Sequence, residues 1–86
     1  MNRLRNFINE NNLSFDEGSR NSTIVCLIGF CQHIDLSQSD LEDELALEIE
    51  DDYFIQEEID RLWDYCKNRN YKNYWSTPEA KNLYKF

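Results

Sequence analysis

Apolar side chains recur at helical spacing through most of the chain. Leu4, Phe7 and Ile8 fall at i, i+3 and i+4, which predicts a short helix over residues 3 to 12. Asn11 and Asn12 are weak helix formers and end it. From Ser22 to Ile34 the chain is almost wholly apolar. The β-branched residues Ile24, Val25 and Ile28 favour a strand. Two interleaved helical sets, Ile24–Leu27–Ile28–Cys31 and Leu27–Phe30–Cys31–Ile34, favour a helix buried on nearly all sides. Its helical neighbours tip the choice to helix. Gly29 costs about 1 kcal/mol against Ala there, so a close helix crossing is expected at that residue.

The next signal is Ser39-Asp40-Leu41-Glu42, with the form of a capping box, followed by Leu41, Leu45 and Ile49 on one face and Leu47 at its margin. It predicts a helix over 39 to 50. Asp40, Glu42 and Asp43 then lie in the first turn, on the favourable end of the dipole. Asp51-Asp52-Tyr53 reads as a connection to a helix over 54 to 69. Its stripe is Ile55, Ile59, Leu62, Trp63 and Cys66, so Trp63 is read as core. Asn70 to Ser76 is a polar and aromatic link. Thr77-Pro78 starts a last short helix, with Thr as cap and Pro at the first helical position. Leu83 and Phe86 are placed to pack this helix back. The fold class is all-α: one compact domain over 1 to 86, built from four or five short helices.

Composition narrows the function classes. An 86-residue chain forms one small domain of limited stability and stands to gain from a partner. The 14% aromatic content argues against general disorder. The longest apolar run, Ile24 to Cys31, is short of the ~20 residues that span a membrane, and the N-terminus has no secretory form. A cytoplasmic protein is expected. Three cysteines (Cys26, Cys31, Cys66) and one histidine, His33, offer neither a disulfide framework nor a zinc set. They are read as buried thiols and a structural histidine. With no Gly-rich phosphate loop and no nucleophile–base arrangement, the chain is not read as an enzyme. No metal or cofactor is expected.

Charge is unevenly spread over the net −8. Residues 1–34 balance three acids against three bases. Residues 35–64 hold thirteen acids and Arg61 alone among bases, while residues 65–86 hold five bases and Glu79. The middle repels nucleic acid and the tail attracts it. The acidic run, with Glu42, Glu44 and Glu48 on its first helix, admits three uses: a solvated face, a docking face for a basic polymerase or helicase, or a nucleic-acid mimic. The tail "YCKNRNYKNYW" interleaves Lys67, Arg69 and Lys72 with Tyr71, Tyr74 and Trp75. Aromatic rings stack on unpaired bases while cations follow the backbone. The same residue types anchor protein interfaces or pack internally, and all three uses stay open.

Gly18-Ser19-Arg20-Asn21 precedes the apolar segment. Gly permits a positive φ at a turn, and Ser19, Asn21 or Ser22 is suited to cap the helix. Arg20 offers a fork for Glu58, Asp60 or a phosphate. This G-x-R-N element, the Leu36-Ser37 start of an acidic helix running to Ile49, and Glu58-Ile59-Asp60-Arg61 in the following helix occur in an order that resembles the primase C-terminal helical domain. The resemblance covers residues 18 to 69, about sixty percent of the chain, and leaves 70 to 86 as an aromatic and basic tail. Here the module stands without a catalytic primase domain. That arrangement is similar to a small accessory subunit encoded beside the primase-polymerase of staphylococcal chromosome-cassette elements. The resemblance implies a non-catalytic subunit that docks on a co-encoded DNA polymerase or primase, or a helicase, and meets single-stranded DNA as part of that complex. The acidic block supports an alternative, a small mobile-element inhibitor of a host or defence nuclease.

Overall fold

Asn12, Asp35 and Asn70 adopt left-handed φ values of 51°, 61° and 55°, and each breaks a helix so that the chain can turn. The computed structural model describes residues 3–16, 18–48 and 56–86. Among these, every regular element is helical: α1 (Arg3–Glu10), α2 (Arg20–His33), α3 (Gln38–Glu48), α4 (Gln56–Asn68), a 3₁₀ helix (Tyr71–Ser76) and α5 (Pro78–Leu83). The all-α expectation holds. The expected connection at 51–53, the helix start at Phe54, and the stripe positions Ile49 and Ile55 lie outside the described residues.

The central element is α2, which packs against α3, α4 and the 3₁₀ helix. Its buried positions Ile24, Leu27, Ile28, Phe30 and Cys31 face several neighbours at once, as a helix apolar around most of its circumference must. The strand alternative for this segment falls. α1 lays Leu4, Phe7 and Ile8 into the core. Leu41 and Leu45 from α3 and Ile59, Leu62 and Cys66 from α4 complete it, while Leu47 stays 69% exposed. The Cα radius of gyration is 12.2 Å, near the ~12 Å of a packed chain this long.

Three local expectations need correction. α2 begins at Arg20, so Arg20 and Asn21 form its first turn rather than a preceding loop; Ser19 is the N-cap residue without a side-chain cap bond. Gly18 has no positive φ. α3 is capped two residues early: Asp40 N donates to Ser37 Oγ at 3.1 Å and Ser37 N donates to Asp40 Oδ2 at 3.1 Å. Left-handed Asp35 and the bond from Leu36 N to Cys31 O (2.8 Å) finish α2 so sharply that the next helix starts at once.

The C-terminal region folds back over the body. Thr77 caps α5 through Ala80 N (3.3 Å), with Pro78 in the first turn, as the sequence predicts. Asn11, besides ending α1, ties the tail down. Its Nδ2 donates to Lys85 O at 2.9 Å and its Oδ1 accepts from Lys85 N at 2.8 Å. Phe86 then meets the rings of Phe30 and Trp75 at 5.9 and 5.4 Å, while Leu83 remains 64% exposed.

Candidate nucleic-acid and partner interface

Left-handed Asn70 ends α4 and turns the chain across α2. The six residues that follow form a 3₁₀ helix, in which every third side chain shares a face. Tyr71 and Tyr74 therefore face the same way, along α2, and both are half-buried. Trp75 goes further in and is 3% exposed. Its ring lies edge-on to Phe7 (5.3 Å), Phe30 (5.4 Å) and Tyr74 (5.4 Å), and 4.9 Å from Tyr84. A Cβ on Gly29 would stand 3.0 Å from Trp75 Nε1. The close approach expected at Gly29 is real, and the 3₁₀ helix makes it. Trp75 is a core residue and offers no face to an incoming base, which corrects its place in the tail set.

Two grooves flank this element. The first, about 450 Å³, lies between α2 and the aromatic tail and is lined by Val25, Cys26, Gly29, Tyr71, Tyr74 and Tyr84 among others. Among the described residues no charged side chain lines it. Cys26 and Tyr84 both line this groove. Burial pushes the Cys26 thiol up, and the adjacent Cys26 charge, with burial, pushes the Tyr84 phenol up to about 12. Burial, with the charge of Asp40, drives Cys31 up to about 12, and burial also raises Cys66. Thiols held protonated in this way are poor nucleophiles. The second groove, about 620 Å³, runs between the α2–α3 junction and the α4–3₁₀ junction, where Trp63, Lys67 and Lys72 meet Gln32 and Asp35.

Lys67, Arg69 and Lys72 are all exposed. The Arg69 guanidinium sits 4.3 Å from the centre of the Tyr65 ring, and that ring meets Tyr71 edge-on at 5.9 Å. Among the described residues, neither Lys67 nor Lys72 lies within ion-pair distance of a carboxylate. Two other cations are paired: Arg61 with Glu58, and Arg5, whose Nη2 lies 2.6 Å from Glu44 Oε2. Lys67, Arg69 and Lys72 are thus gathered at the end of α4 and the start of the 3₁₀ helix, apart from the buried Trp75.

The acidic set is not one open face. Glu44 is 7% exposed and turned toward α1. Glu42 is half-buried and accepts amide protons from Gln38 (2.9 Å) and Gln56 (2.6 Å). The same two amides donate to Asp60, so two carboxylates are bridged without a cation. Glu48 closes α3. Arg20 Nε donates to Phe15 O at 3.3 Å, while Glu58 pairs with Arg61 and Asp60 accepts from the two glutamines. Gly18 and Asn21 are exposed. His33 is half-buried against Phe86.

Among the described residues no cluster of His, Cys, Asp and Glu could hold a metal ion, and no helix is long and apolar enough to cross a membrane. Sequence reasoning missed Tyr84, which only the return of the tail brings to the first groove, and Trp63, whose place on the apolar stripe hid its partial exposure. Comparison with protein-family models, curated proteins and solved structures finds no match.

Proposed function

We propose that the chain is a non-catalytic accessory subunit of a mobile-element DNA primase or primase-polymerase, docking on the co-encoded polymerase and helping it hold single-stranded template. The observation that carries this reading is the gathering of exposed Lys67, Arg69 and Lys72 beside the aromatic 3₁₀ helix, in a chain of net charge −8. Overall acidity keeps free binding to nucleic acid weak, so a local cationic end is best used where a partner already holds the strand. The helical core, with the G-x-R-N segment at the start of the central buried helix, supports the same reading. The uncharged first groove suits an apolar side chain of the polymerase. An acidic inhibitor draws less support, because Glu44 is buried against Arg5 and Glu42 is engaged by two amides.

Co-expression with the polymerase encoded beside it tests the proposal. One co-migrating species at micromolar concentration, and primer synthesis that falls when this chain is omitted, are the expected results. Separate migration with unchanged priming overturns it.

A further inference from the structure

Trp63 and Lys67 stand four residues apart on α4 and so share a face. The left-handed turn at Asn70 returns Lys72 to the same groove. Gln32 Nε2 donates to Trp63 O at 3.0 Å, which fixes this end of α4 to α2. Part of Trp63 packs on the core while the rest stays accessible. A ring held this way loses little freedom when a second ring stacks on it. Both lysines are exposed and without a carboxylate partner among the described residues. At about 620 Å³ the groove is within the usual size of a ligand site.

We infer that this groove is a single-stranded nucleic-acid site, in which Trp63 stacks on an unpaired base and Lys67 and Lys72 contact the phosphates on either side. The inference rests on the accessory-subunit reading and names the surface that meets the strand. Charge and shape select the occupant. A nucleotide strand alternates planar rings with anions, which is the alternation of Trp63 with the two lysines. An acidic peptide satisfies the lysines but brings no obligatory ring for the indole. The uncharged groove on the other side of the 3₁₀ helix has no cation in its lining to offset a phosphate. Asp35 is the acid in the proposed groove's lining; it disfavours tight binding and keeps affinity dependent on both lysines.

The test is a titration of the full chain with a short oligothymidylate at several salt concentrations, read by tryptophan fluorescence. Quenching should come from Trp63, because Trp75 is buried. Two phosphate contacts give a log–log salt slope of about −1.4 for a single strand. The double variant Lys67→Glu/Lys72→Glu alters two exposed residues, so its fold is expected to persist and circular dichroism checks it. It should weaken binding roughly tenfold or more and flatten the slope. Trp63→Ala should weaken binding roughly five-fold or more, and Trp63→Phe should restore most of it. Unchanged affinity in the folded double variant, no quenching at low salt, or equal quenching by a polyglutamate peptide each overturns the groove. Priming that still needs this chain when the groove variants bind normally overturns the groove and leaves the accessory reading intact. Salt-dependent binding lost in those variants, with no association with the polymerase, does the reverse.

Discussion

The two sides of α2 are built on different physics. On one side, α1, the 3₁₀ helix and the C-terminal tail bring Phe7, Phe30, Trp75, Tyr84 and Phe86 into one ring cluster, with Phe7 stacked on Phe30 at 3.9 Å. These residues are far apart in sequence, and only the completed fold unites them. On the other side, α3 and α4 meet over Leu41, Leu45, Ile59 and Leu62. Their outer contacts are amide bridges from Gln38 and Gln56 to Glu42 and Asp60, between residues closer in sequence. Buried rings exclude water and contribute through area and geometry. Partly solvated amide–carboxylate contacts contribute little each. The aromatic side should therefore hold most of the stability, and the acidic side should tolerate change. The lysine groove lies where the two sides join.

The strongest way to break this contrast is Trp75→Ala. It removes a ring packed against five aromatic neighbours and should cost about 3–5 kcal/mol, a large share of the ~5–15 kcal/mol that keeps small domains folded. Urea unfolding measures it. A loss below about 1 kcal/mol would show that the ring cluster is not the main support. Next is Glu44→Lys, which places a second cation beside Arg5 at the seam between the acidic side and α1. The Arg5 side chain is 27% exposed and that of Glu44 9%, so a cost of about 3 kcal/mol, near the low end for breaking a buried pair, is expected. The exchange Arg5→Glu/Glu44→Arg should recover a good part of it in a double-mutant cycle. If Glu44→Lys unfolds at the same urea concentration as the parent chain, Glu44 belongs to an open acidic face after all.

The same contrast decides what could be read from the chain. Elements set by local pattern were legible: the Leu4–Phe7–Ile8 stripe, the all-round burial of α2, and the Thr77-Pro78 start of α5. Gly29 was legible as a close approach because a glycine inside a buried helix has few other reasons to be there, although the partner was not. The two tryptophans differ from the sequence reading: Trp75 is buried and Trp63 only partly so. Trp63 lay on an apolar stripe, and Trp75 lay in a polar segment without periodicity. Their environments depend on where the tail lands, and the left-handed turn at Asn70 that decides this has no hydrophobic signature. Arg20 was misplaced for the same reason: its contact with Phe15 O depends on how α2 begins, not on the acids available to it in the sequence.

The smallest expected effect separates two overlapping signals at the start of α3. Ser37 and Ser39 each precede an acid by three residues, Asp40 and Glu42, so each offers a capping box. Only Ser37 has the reciprocal bonds: its hydroxyl accepts from Asp40 N, and its own N–H donates to Asp40 Oδ2. Ser39 is exposed within the first turn, where its hydroxyl caps nothing. Ser37→Ala should therefore cost about 1 kcal/mol. Ser39→Ala should be neutral, or gain up to about 0.5 kcal/mol from the better helix propensity of Ala. Paired thermal or urea unfolding curves resolve a difference of this size. A larger loss at Ser39 than at Ser37 would move the helix start by two residues. Glu42 would then be the capping acid, reaching back to the Ser39 N–H and leaving the amides of Gln38 and Gln56. The bridge to Asp60 that ties α3 to α4 would open, and with it the reason for assigning the acidic side a structural role.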